Sequence, residues 1–94
     1  MKPEIVDLID KTVRERFAGV DIESVSVDED VDFDGGTVFR VRVVFNHKGP
    51  LDAHKTSGIV RHLRHRLVAE KEDAFPIVAF VSKSDAAGRK AEAA

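Results

Sequence analysis

The stretch from Glu23 to Asn46 constrains the fold of this chain more than any other. Val25, Val27, Val31 and Phe33 fall on odd positions, and so do Thr37, Phe39, Val41, Val43 and Phe45. Apolar residues at period two mark a strand buried on one face. Asp34-Gly35-Gly36 lies between the two runs and supplies turn chemistry, so the stretch predicts a β-hairpin. A three-residue loop there predicts Phe33 opposite Thr37, Val31 opposite Phe39, Val27 opposite Val43 and Val25 opposite Phe45. On the other face it predicts two cross-strand ion pairs, Asp30 with Arg40 and Asp28 with Arg42. Val20 and Ile22 break the odd pattern. The first strand is therefore expected to start near Glu23 or to carry a bulge near Ser24.

Helices flank the hairpin. Pro3 suits a first helical turn, and Glu4 and Asp7 place negative charge at the positive end of the helix dipole. Ile5, Leu8, Ile9, Thr12, Val13 and Phe17 recur at three and four residues, and Gly19 is a natural stop. These signals predict a helix over 3–18. A turn follows the hairpin at Asn46-His47-Lys48-Gly49-Pro50. Asp52 can then cap a second helix over 52–71, with Thr56, Ile59, Val60, Leu63 and Leu67 on one face. Gly58, poor in a helix interior, marks a possible break. Phe75 to Val81 reads as a third strand apolar on both faces, with Pro76 fitting a strand start or an edge. Ser82 to Ala94 offers nothing large and apolar and is expected to be a disordered tail. The expected organisation is one α/β domain over 1–81 and a tail over 82–94.

The order α-β-β-α-β makes this an α+β sandwich of two layers, a three-stranded sheet with two helices on one face. A right-handed crossover through the second helix predicts a mixed sheet of order 1-2-3, with an antiparallel 2-1-3 sheet as the alternative. In outline this order resembles the bacterial type of K-homology RNA-binding fold and the cytoplasmic domain of cation-efflux transporters. The Gly-x-x-Gly loop of the K-homology fold is absent between the helices, and no family is assigned.

Composition narrows the classes of function. The absence of Cys removes disulfides, thiolate metal sites and cysteine nucleophiles, and makes a reducing cytoplasm the expected compartment. No apolar run approaches the roughly 20 residues that span a bilayer, and Met1-Lys2-Pro3-Glu4 lacks the apolar stretch of a signal peptide, so no membrane role is expected. The net charge of -2 opposes broad nucleic-acid binding but leaves room for a local basic patch. The charge is unevenly spread. Seven acidic residues and no basic one lie between Asp21 and Asp34, whereas seven Lys or Arg and all four His lie between Val38 and Arg66.

Three candidate surfaces follow. Asp30-x-Asp32-x-Asp34-Gly35 matches the start of a calcium loop, although Val41 stands where the bidentate Glu belongs. Lys55, Arg61, His62, Arg64, His65 and Arg66 form a basic helical segment that could contact RNA phosphates, although base stacking wants exposed aromatics and the chain has no Trp or Tyr, with most of its six Phe fitting the core pattern. His62 and His65 are too few for a structural zinc site. The third surface is the sheet face away from the helices. Val38 and Val44 belong there by parity, Val78 and Phe80 are assigned there on the third strand with Ile77 and Val81 as the alternative, and Arg40 and Arg42 flank them. Because a sheet needs a second layer, this face predicts association with a second copy or another protein. No Gly-x-Ser-x-Gly elbow or phosphate-binding glycine loop is present, so no cofactor and no catalytic reaction is expected.

Overall fold

The structure, a computed structural model, describes residues 2–86. Helix α1 (Pro3–Arg16) leads into strands β1 (Asp21–Val31) and β2 (Thr37–Asn46), helix α2 (Ala53–Ala69) and strand β3 (Phe75–Ser82). The sheet order is β1-β2-β3. β1 runs antiparallel to β2, and β3 runs parallel to β2 after the α2 crossover. This is the expected mixed α+β sandwich. The expected tail begins inside the fold: Ser82 closes β3, and 83–86 have helical backbone. The remainder of that segment, 87–94, lies outside the described residues.

The core sits between the helices and the odd face of the hairpin. Ile5, Ile9, Val13 and Phe17 pack with Ile59, Leu63 and Leu67 over Phe39, Val41, Val43 and Phe45. At about 1.5–3 kcal/mol for each large apolar side chain, this cluster is the main stabilising term. α1 stops at Arg16, two residues earlier than expected. Phe17 takes the C-cap and packs edge-on against Phe80, with ring centroids 5.3 Å apart. Gly19 then turns the chain at a φ of +92°. The bulge in β1 is present: Ile22 pairs with Phe45 and Ser24 with Val44, leaving Glu23 as the extra residue. One extra residue switches parity, so that Ile22 and Val25 both face the helices.

The hairpin register differs from the three-residue expectation by two residues. Val27 pairs with Val41, Val25 with Val43 and Asp28 with Arg40, while Ser26 stands opposite Arg42. The cause is Asp32. Its carboxylate accepts hydrogen bonds from the N–H groups of Asp34 (2.9 Å) and Gly36 (3.1 Å). The Asp32 N–H also donates to the Gly36 carbonyl at 2.9 Å, which closes a loop over 32–36. A slip of two preserves which face each side chain takes but changes its cross-strand neighbours. Asp30 still meets Arg40, now diagonally, with Oδ2 accepting from Nε at 2.9 Å. Phe33 is not a strand residue; it stands at the hairpin tip, 99% exposed.

α2 runs unbroken through Gly58. Asp52 caps it, accepting from the N–H groups of His54 and Lys55. Gly58 is a close-approach site. Arg16 crosses from the end of α1 and donates from Nε to the Lys55 carbonyl (2.9 Å) and from Nη2 to the His54 carbonyl (3.3 Å). A Cβ at Gly58 would collide with Nη2 of Arg16. A second clasp joins the helices at Arg66, which pairs with Glu15 at 3.0 Å and donates to Thr12 Oγ1 at 3.2 Å.

Candidate functional site

The three surfaces expected from sequence fare differently. At the hairpin turn, the carboxylates of Asp30 and Asp32 are committed to the protein. Asp30 accepts from the Val31 N–H and from Arg40, and Asp32 caps its own loop. Arg40 and the Val31 N–H hold the Asp30 carboxyl below its ordinary value, because both favour its charged form. Among the described residues, no group of three or more His, Cys, Asp or Glu converges on a point where a metal ion could bind. Asp30 and Asp32 are thus held in an ion pair and a turn, with Asp34 in the same turn.

On the open sheet face, parallel pairing fixes which side chains of β3 point where. Val41 pairs with Val78 and Val43 with Phe80. Paired residues share a face, so Val78 and Phe80 point at the helices and pack against the core, contrary to their expected place on the open face. The outward residues of β3 are Phe75, Ile77, Ala79 and Val81, beside Val38, Arg40, Arg42 and Val44 of β2. Phe75 and Ile77 are 44% and 42% exposed, whereas Val38, flanked by Asp30 and Phe75, is only 3% exposed and offers no contact surface. Among the described residues β3 pairs only with β2, so its other edge is free. No charge interrupts that strand from Phe75 to Val81, and Pro76 is the one residue in it that cannot donate a backbone hydrogen bond.

On α2 the structure divides the basic segment. Arg66 is spent on Glu15 and Thr12. The Arg64 guanidinium lies over the Phe75 ring, 5.0 Å from its centroid. Lys55 contributes its carbonyl to Arg16 and is half-buried. Arg61, His62 and His65 remain exposed. Together with His54, Ser57 and Gly58 they line a pocket of about 370 Å³, and Arg16 of α1 closes one side. A second, shallower groove on the same helix is lined by Val60, Val68 and Phe75 beside Arg61, Arg64 and His65. The Ser57 hydroxyl donates to the His54 carbonyl at 3.1 Å and is not directed at an imidazole.

Sequence reasoning missed Arg16, which reads as an ordinary polar residue near a helix end. The available signal was Gly58. A glycine inside an otherwise good helix needs a reason, and a close neighbour is the commonest one. No helix among the described residues is long and apolar enough to cross a membrane. Comparison with protein-family models, with curated proteins and with solved structures finds no match to this chain.

Proposed function

We propose that this chain is a small cytosolic interaction module that self-associates through the outward face and free edge of β3. One observation carries the reading: Ile77, Ala79 and Val81 form an uncharged apolar stripe along an edge strand, paired with the outward residues of β2, while Phe75 at the start of the strand is covered by Arg64 of α2. The charged columns restrict how two copies can meet. Asp28 and Asp30 lie on β1, and Arg40 and Arg42 lie on β2. A two-fold axis that superposes all three strands sets like charges against like, which costs energy. An axis running beside β3 sets apolar stripe against apolar stripe and leaves the charges at the rim.

The size of the surface sets the strength. The outward face of β3 and its neighbour β2, two strands about 4.8 Å apart and about 26 Å long, presents on the order of 250 Å². Stable interfaces bury about 800 Å² per partner, so this face supports a weak, concentration-dependent dimer, dissociating in the micromolar range or above. The test is Ile77→Asp in the full chain, followed by light scattering. A buried carboxylate at the centre of the stripe costs about 2 kcal/mol or more, roughly thirtyfold in Kd, and the dimer is expected to vanish while the far-ultraviolet spectrum stays native. Phe80 is unsuitable as a probe because a charge there strikes the core. An Ile77→Asp dimer as strong as wild type rules out this surface.

A further inference from the structure

The pocket between Arg16 and the outer face of α2 has no part in self-association and its residues are of another kind. We infer that it is a binding site for the phosphate group of a small phosphomonoester. Two guanidinium groups, Arg16 and Arg61, and three imidazoles, His54, His62 and His65, line it, and among the described residues no carboxylate does. Among the described residues Arg14 pairs with Asp10, Arg40 with Asp30 and Arg66 with Glu15, whereas Arg42, Arg61 and Arg64 have no acidic partner. Arg16 has none either. Its guanidinium is held by two backbone carbonyls, which fix its position but leave its charge uncompensated. Arg61 and the three imidazoles have no hydrogen-bond partner among the described residues. Uncompensated guanidinium groups in a concave site attract an oxyanion, and the fixed one has lost its conformational entropy before the ligand arrives.

The geometry favours phosphate over a carboxylate. The donors come from two helices: Arg16 of α1 lies against α2 at Gly58, and Arg61 stands one turn further along α2. The oxygens of a phosphate are tetrahedrally disposed and can meet such a set, whereas the two coplanar oxygens of a carboxylate are satisfied by a single guanidinium fork. The missing side chain at Gly58, which forms part of the wall, lets Arg16 lie close to the helix. The stripe from His54 to His65 runs about 16 Å along the helix, from the rise per residue. That length exceeds a lone phosphate, so the body of the ester lies along α2 toward His62 and His65.

The test is an amide-shift titration of the labelled full chain at constant ionic strength. The probes are ribose 5-phosphate, inorganic phosphate, acetate and a short single-stranded oligouridylate. The expected result is a saturable response to ribose 5-phosphate confined to Arg16 and the span from His54 to His65. Arg61→Gln should weaken it about tenfold or more, as loss of a charge-assisted partner does, whereas Lys11→Gln, elsewhere on α1, leaves it unchanged. Gly58→Ala, which keeps the helix but evicts Arg16, should weaken it as well. Three outcomes overturn the inference. Acetate binding as tightly as the ester shows a general carboxylate site. A linear response spread over the surface lysines shows charge screening. Saturable binding of the oligouridylate with no response to either phosphate probe assigns the surface to nucleic acid.

Discussion

Replacing Gly58 by Ala pits two effects of similar size against each other. Inside an exposed helix the change normally stabilises by about 1 kcal/mol, because Gly loses more backbone entropy on folding. Here the new methyl collides with Arg16 Nη2. That atom is the far end of a flexible side chain, so the backbone holds and the guanidinium swings away. The cost is then the two hydrogen bonds from Arg16 to the Lys55 and His54 carbonyls, the second long at 3.3 Å. Together they contribute about 1–2 kcal/mol. Gly58→Ala should therefore be neutral to destabilising by about 1 kcal/mol, against a stabilisation of the same size for an unhindered helix glycine. The decisive comparison is a double-mutant cycle. In an Arg16→Ala background nothing is left to displace, so Gly58→Ala should recover its full gain of about 1 kcal/mol, and the coupling should be about 1–2 kcal/mol. Urea unfolding at one fixed protein concentration reads this, since association would otherwise shift the midpoints. A stabilising Gly58→Ala in the wild-type background, or zero coupling, refutes the account of Gly58.

Two further predictions concern the hairpin. Asp32→Ala removes the acceptor for two loop N–H groups and should destabilise by about 1–2 kcal/mol in thermal unfolding, while calcium should leave the melting temperature of the wild-type protein unchanged. Asp30 has a folded pKa below its ordinary value of 3.8, first through its hydrogen bond to Arg40. Its contribution is thus fully present above the unfolded value and lost as pH falls through the folded one. Melting temperature followed downward from pH 5 should fall less steeply in Arg40→Gln than in wild type, and identical slopes would remove the Asp30–Arg40 pair as a contributor.

The parts of this fold that were legible in the sequence are those that a period encodes. Alternation in β1 and β2 identified the inward residues Val25, Val27, Phe39, Val41, Val43 and Phe45, and the break at Ile22 announced the bulge, but the same alternation placed Val31 and Phe33 inward, whereas both are exposed at the hairpin end. The register was not legible to the same degree. A two-residue slip keeps parity, and the choice fell to hydrogen bonds from Asp32 within its own loop. β3 is apolar at every position from Phe75 to Val81 and has no alternation to read, so its outward face could be assigned only once its pairing with β2 was known. That is why Ile77, and not Val78 or Phe80, is the surface residue. The basic character of α2 was plain, but not its division: Arg66 is claimed by α1 and Arg64 by Phe75, and the pocket is completed by Arg16, nearly forty positions earlier in the chain.

Self-association through β3 is read out by sedimentation equilibrium of the wild-type chain from about 10 μM to about 1 mM, the range set by so small an apolar face. The weight-average mass should rise from that of one chain toward twice that value, with Ile77→Asp holding at one chain throughout. A wild-type mass that stays at one chain across the whole range contradicts it.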